Sequence, residues 1–195
     1  MSIYRLKPYF QTLLRPCVKL LAFLGVTANQ VTIFAALISV TAAATLFALG
    51  ESPYWFWLPV ILFVRMALNA IDGMLAREHH MQSVLGGVLN ELGDLIADAA
   101  IYLSFIAISG FSATMLFIFV LLSWLSEIIA ILAAQHTDSR PNHGPLGKSD
   151  RATLFSILAI LVGFNVDLTA WGDGVIAIAC LALLVTSYRR LRTII

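Results

Sequence analysis

Six apolar runs, residues 30–49, 54–78, 83–110, 113–135, 151–169 and 174–191, constrain what this chain of 195 residues can become. Each is near the roughly 20 residues that a helix needs to cross about 30 Å of hydrocarbon. They are too long and too continuously apolar for the alternating strands of about 10 residues that build a transmembrane barrel. A mean hydropathy of +0.91 with 12% charged residues puts the whole chain among membrane proteins. The expected fold is therefore all-α, a polytopic membrane protein of six transmembrane helices. One domain over 1–195 is expected, divided into an interfacial arm over 1–28 and a transmembrane core over 29–195.

The arm mixes Arg and Lys with Leu, Tyr and Phe, and reads as an amphipathic helix lying on membrane lipids, interrupted at Pro8 and Pro16. The plainer alternative is a basic leader that only sets orientation. Its charges are spread rather than gathered before a short apolar core, so no cleavable signal is expected. Eleven of the twelve Lys and Arg residues fall on one side of the six runs: Arg5, Lys7, Arg15, Lys19, Arg77, Arg140, Lys148, Arg151, Arg189, Arg190 and Arg192. The positive-inside rule makes that side cytoplasmic and places both termini there. Such a basic face suits anionic headgroups or phosphorylated substrates and does not suggest nucleic acid. Cys17 in the arm and Cys180 inside the last run are expected to stay reduced.

The segment "NAIDGMLAREHHMQSVLGGVLNELGDLIAD", residues 69–98, sets four carboxylates into apolar surroundings. Each ionisable group at mid-membrane costs about 2.5–3.5 kcal/mol on insertion scales, so several together need a compensating role. Helical spacing puts Arg65, Asn69, Asp72 and Ala76 on one face of the second run, and Gly86, Asn90, Asp94 and Asp98 on one face of the third, with Glu91 beside them. In an antiparallel hairpin, paired residue numbers sum to a near-constant value, which sets Asp72 against Asn90, Asn69 against Asp94 and Arg65 against Asp98. An Arg65–Asp98 structural ion pair is expected deepest in the membrane, with Glu127 an alternative partner for Arg65. Above it, Asn69, Asp72, Asn90 and Asp94 would offer hard oxygens of the kind Mg²⁺, Mn²⁺ or Ca²⁺ takes. A hydrogen-bonded polar seam or a proton relay would use the same residues. Gly73, Ala76, Gly86, Gly87 and Gly93 leave room for a ligand or for close helix packing, and Arg77 is placed to meet phosphate or to anchor topology.

Asn69, Asp72, Gly73, Ala76, Arg77, Gly86, Asn90 and Asp94 keep every spacing of Asp-x2-Asp-Gly-x2-Ala-Arg-x8-Gly-x3-Asp-x3-Asp, which resembles the signature of the CDP-alcohol phosphatidyltransferases. "GVTANQVT", residues 25–32, is similar to that family's entry to its first helix, with Ala28 where Pro is usual. "GPLGKSDRA", residues 144–152, resembles the basic loop on its acceptor side. The resemblance implies transfer of a phosphatidyl group from CDP-diacylglycerol to an alcohol acceptor, phosphorylated or not, with release of CMP. It implies Mg²⁺ or Mn²⁺ as cofactor, a homodimer, and a bacterial inner membrane. Carried onto this sequence, it makes Asp94 the catalytic base and a metal ligand, with Asp72, Asn69 and Asn90 as further metal ligands. Gly73, Ala76, Arg77, Gly86, Asn29 and Thr32 would bind nucleotide, and Lys148 and Arg151 the acceptor's phosphate. Asn69 and Asn90 stand where the family has aspartates, and Glu91 is placed to restore one charge as a ligand. The missing charges leave a CDP-lipid-binding pseudoenzyme as one alternative; a proton-coupled or ion-coupled transporter is another.

Overall fold

The computed structural model describes residues 7–136, 141 and 143–193. Arg5 and Arg140, counted toward the basic face, lie outside them. Among the described residues seven α-helices follow in order: α1 Lys7–Phe23, α2 Ala28–Leu49, α3 Trp57–Glu78, α4 Val84–Ser104, α5 Ala113–His136, α6 Lys148–Gly163 and α7 Gly172–Leu191. Single 3₁₀ turns, Pro53–Phe56 and Phe105–Ala107, precede α3 and extend α4. No strand occurs among the described residues.

The six runs correspond to α2–α7. Among the described residues four stretches are long and apolar enough to cross a membrane: Ala28–Leu49, Pro53–Glu78, Ala113–His136 and Gly172–Leu191. The other two fall short for different reasons. Helix α4 carries Glu91, Asp94 and Asp98, and α6 has 16 residues, a length of about 24 Å at 1.5 Å per residue. The expected run 151–169 thus begins earlier and stops sooner as a helix. Its end is capped by Asn165 at φ +54°, with the Val166 amide donating to the Leu161 carbonyl at 3.0 Å and the Asn165 amide to that of Val162 at 2.9 Å. That pattern closes a helix with a left-handed residue, which Asn tolerates.

The chain divides into two compact units. Met1–Thr41 with Val60–Ala97 forms the first, and Ala42–Pro59 with Asp98–Ile195 the second. The first is built around Val18, Ala28, Val31, Ile71, Met74 and Leu75, so that α1, α2 and α3 share one apolar core. Helix α1 does not break at Pro16, contrary to expectation. Pro16 and Thr12, one turn back, are both exposed, so the backbone bond that proline removes lies on the outer face. Pro8 sits in the first turn, where no such bond is required. The turn to α2 is a Schellman motif with Gly25 at φ +74°, the Val26 amide meeting the Leu21 carbonyl at 2.9 Å. Thr27 and Gln30 then cap α2 reciprocally: each backbone amide donates to the other's side-chain oxygen, at 2.9 Å from Thr27 and 3.3 Å from Gln30.

The second unit has an aromatic core. Tyr102, Phe105, Phe119 and Phe155 meet with ring centroids 4.3 to 5.3 Å apart, and Trp55 packs on Phe105 at 4.5 Å. Helix α5 packs along α7. The short connections are tied by side chains: Glu51 accepts the Ser109 amide at 2.7 Å, Asp173 the Ser112 amide at 2.8 Å, and Asp167 both the amide and the hydroxyl of Thr169. These segments line a cavity of about 230 Å³ with Val162, Asn165 and Leu168. Hydrogen bonds from Ser109, through its side chain and then its amide, hold the Glu51 carboxyl below its usual range, and Thr169 does the same for Asp167. Large apolar side chains such as Phe34, Leu37, Phe63, Leu121, Leu125, Ile178 and Leu181 remain exposed along the helices, a surface suited to lipid rather than water.

A carboxyl whose folded pKa is lowered adds stability above its unfolded value, and that stability is lost as pH falls through the folded one. The amides of Ser109 and Thr169 should therefore exchange slowly at pH 7. Once corrected for intrinsic rates, they should exchange faster at about pH 3, below the ordinary carboxylate range. Hydrogen exchange with mass spectrometry checks this, and protection unchanged between the two pH values would contradict it.

Candidate active site

Helices α3 and α4 run antiparallel through the first unit, joined by residues 79–83. Ser83 caps α4, its hydroxyl accepting the Gly86 amide at 2.9 Å. His80 ends α3 at φ +56°, with the Met81 amide bonded to the Ala76 carbonyl at 3.1 Å. These two caps fix the length of the connection and therefore the register of the hairpin. That register sets Asn69 opposite Asp94, as the residue sums anticipate: the Asn69 Nδ2 donates to Asp94 Oδ1 at 2.9 Å.

Arg65 Nη2 reaches the same Asp94 Oδ1 at 2.9 Å and the Asp94 carbonyl at 3.2 Å. Asp94 was not the partner expected of Arg65. It sits one turn before Asp98 on α4, and the long guanidinium stem spans that turn. The expected Arg65–Asp98 pair joins residues of different units and stands as an expectation. Asp72 is buried on α3, where Thr32 of α2 donates its hydroxyl to Oδ2 at 2.7 Å. Asn90 and Glu91 are half-buried one turn before Asp94. Among the described residues no three His, Cys, Asp or Glu side chains gather as a metal site.

The proposed nucleotide residues also meet in pairs. A Cβ on Gly86 would stand 2.6 Å from Asn29 Oδ1, and one on Gly73 would stand 3.2 Å from Arg77 Nη1. Glycine is thus what lets Asn29 lie against α4 and the exposed Arg77 guanidinium fold back along α3. Ala76 flanks this line and packs against the first unit's core.

The second unit holds the residues expected on the acceptor side. Arg151, expected at an acceptor's phosphate, is fully buried. Its Nη2 donates to Glu127 Oε1 at 2.8 Å and lies 3.9 Å from Asp98 Oδ2, its Nε meets the Tyr102 hydroxyl at 3.2 Å, and its Nη1 faces the Leu146 carbonyl at 3.4 Å. Arg190 Nη1 reaches the same Glu127 Oε1 at 3.3 Å and the Ser126 carbonyl at 2.8 Å. A guanidinium so placed must find acceptors within the protein, because leaving it unpaired costs more than any surface contact returns. Lys148 is half-buried at the start of α6. The Glu127–Arg190 contact escaped the sequence reading, which treated Arg190 as a flanking charge; an isolated Glu in an apolar run was the available signal.

Removing one member of a buried pair strands the other. Arg65→Met should lower unfolding stability by about 3 kcal/mol, the lower end for a buried pair, because the Asp94 side chain keeps 22% exposure. Denaturant titration in detergent measures the loss, and a loss below about 1 kcal/mol, the range of a surface pair, would show that the contact does not hold the hairpin.

Comparison with known proteins agrees with this arrangement. The sequence pattern described as CDP-alcohol phosphatidyltransferase matches residues 25–187. The chain is 38% identical over 195 residues to the inner membrane protein YnbA of Escherichia coli K12, covering 100% of this chain and 97% of that one. It is 28% identical over 159 residues to the phosphatidylinositol phosphate synthase of Mycobacteroides abscessus, covering 79% of this chain and 71% of that one. Among solved structures, the phosphatidylinositol phosphate synthase of Mycobacterium tuberculosis with CDP-DAG bound has the same fold, with a TM-score of 0.74, 24% identity and 92% of each chain covered. The same enzyme in complex with manganese and citrate gives a TM-score of 0.69 at 23% identity, over 92% of this chain and 87% of that one. With its signature spacing intact on a hairpin that brings Asn69 and Asp94 into contact, the chain belongs to the CDP-alcohol phosphatidyltransferase family of enzymes.

Proposed function

We propose that this protein transfers a phosphatidyl group from CDP-diacylglycerol to an alcohol acceptor and releases CMP, as a step of phospholipid synthesis. The observation that carries the reading is the α3–α4 hairpin, where one antiparallel register assembles Asn69 with Asp94 while Thr32 orients Asp72. The acceptor hydroxyl oxygen attacks the phosphorus that bears the diacylglycerol. The bond from that phosphorus to the bridging oxygen breaks, and the electron pair leaves with CMP. The hydroxyl proton passes to Asp94, whose carboxylate is oriented by Arg65 and Asn69. Arg77, against Gly73, offers a planar donor set to phosphate. Asn29, against Gly86, borders the same helix for the nucleotide.

The donor set fits a hard divalent cation, Mg²⁺ or Mn²⁺. Asp72 and Asp94 would supply carboxylate oxygens and Asn69 and Asn90 carboxamide oxygens, with Glu91 beside Asn90. One or two carboxylates together with substrate phosphates are the usual way such an ion is held. When bound, it would neutralise charge that develops on the diphosphate. The protein's own share is to position the hydroxyl, the diphosphate and the base.

In the same reading all six helices α2–α7 cross the inner membrane, both termini are cytoplasmic, and two copies associate. Helix α6 crosses despite its 16 residues, because a span can be shortened by local thinning of the bilayer at modest cost. Helix α4 crosses because its carboxylates face protein partners rather than lipid. Placing the site within the membrane lets the donor's acyl chains stay in the bilayer while its headgroup reaches the hairpin.

Purified protein supplied with CDP-diacylglycerol and an acceptor panel should release CMP only when Mg²⁺ or Mn²⁺ is present. Asp94→Asn should lower the rate by about 100-fold or more, the ordinary contribution of a general base, and Asp72→Asn should act on the metal requirement. Gly86→Ala should raise the KM for CDP-diacylglycerol by pushing Asn29 aside. Full activity in Asp94→Asn would remove Asp94 from the mechanism.

A further inference from the structure

Within the first unit, one oxygen of Asp94 receives two donors from the same helix. Arg65 Nη2 and Asn69 Nδ2 each lie 2.9 Å from Oδ1, and the two residues stand one turn apart on α3. A carboxylate oxygen has two lone pairs, and these donors use both. At that distance the amide nitrogen of Asn69, and not its oxygen, has to face the carboxylate, because two acceptors in contact repel. Arg65 is buried and carries the charge that answers Asp94, whereas Asn69 is half-buried and brings no charge. What Asn69 adds is direction: a second donor on the same oxygen stops the carboxylate from turning about its terminal bond.

We infer that Asn69 is a positioning residue that acts through Asp94 as a hydrogen-bond donor, so that an aspartate in its place weakens the enzyme rather than strengthening it. This rests on the proposed reading that Asp94 takes the acceptor's proton. With Oδ1 held by two donors, the proton leaving the acceptor hydroxyl is taken at Oδ2, and the same two donors set where Oδ2 points. A count of oxygen ligands alone gives the opposite ranking, since an aspartate at position 69 keeps an oxygen in place and adds a charge that a divalent cation favours. The contact decides against that ranking. A carboxylate 2.9 Å from Asp94 Oδ1 would either repel it or hold a proton in common with it. Repulsion turns the base away, and a shared proton leaves it already protonated.

The test compares purified full-length wild type with Asn69→Asp in liposomes containing CDP-diacylglycerol, with an acceptor panel and saturating Mg²⁺. Asn69→Asp should lower kcat at least about tenfold and keep the KM for CDP-diacylglycerol within about twofold, the pattern of an interaction made in the transition state. The solvent deuterium isotope effect on kcat should grow, because a misdirected base slows proton transfer relative to the other steps. In EDTA, Asn69→Asp should be less stable to denaturant than wild type; equal or greater stability overturns the inference, since the two carboxylates then do not meet. Equal or higher kcat in Asn69→Asp overturns it while leaving phosphatidyl transfer standing. A lowered kcat with an unchanged isotope effect overturns it too, because the contact then only fastens helices. No CMP from wild type with any acceptor overturns both the inference and the reading beneath it. Asn69→Leu removes the donor without adding charge and should show the same enlarged isotope effect, which decides the matter even if Asn69→Asp does not fold.

Discussion

Every charge that this chain sinks into its helices has to be answered by another group, and that requirement organises both units. A buried guanidinium or carboxylate has lost most of the water that would solvate it, so it needs a partner within the protein. Arg65 is 5% exposed and ends on Asp94; Arg151 is 0% exposed and ends on Glu127. These pairs tie helices that the apolar effect alone would leave free to slide, since hydrocarbon is as good a neighbour for Leu as another Leu is. The contacts that position the chemistry are therefore also the ones that fix the helices.

The site follows from local rules applied in sequence. Ser83 and the left-handed His80 set the length of the turn between α3 and α4, and the turn sets the register. The register brings Asn69 to Asp94, and the Thr27–Gln30 cap starts α2 so that Thr32 lies one turn in, facing Asp72. Small residues then admit the polar ends of their neighbours, as Gly86 admits Asn29. Nothing here requires an unusual backbone at the functional residues themselves. The unusual conformations sit at helix ends, where they terminate elements.

How far such a site can be read from sequence depends on whether a partner is local. Helix period and antiparallel register are local, and they place Asn69, Asp72 and Asp94 on facing stripes. Which acid an arginine takes is not local. Arg65 carries a stem long enough to span a turn, so the residue sum that points to Asp98 does not select between Asp98 and Asp94. Arg151 looks like a loop cation because "GKSDR" is polar, yet it is the fourth residue of a helix whose next turns are buried. Its neighbour Glu127 is on α5 and its fellow cation Arg190 on α7, and no spacing rule relates three separate helices. Pro16 shows the complementary limit: proline forbids one hydrogen bond, and whether that ends a helix depends on which face loses it.

The two units answer the same electrostatic problem in opposite ways. In the first, Asp94 takes one cation, while Asp72 accepts from the neutral hydroxyl of Thr32. The carboxamides at Asn69 and Asn90 keep the negative charge of this face lower than carboxylates would, without removing oxygen donors. In the second, Arg151 and Arg190 meet on one oxygen of Glu127, with Asp98 3.9 Å from Arg151. One carboxylate shared by two arginines thus braces α5, α6 and α7, whereas in the first unit Asp72 and Asp94 have different donors.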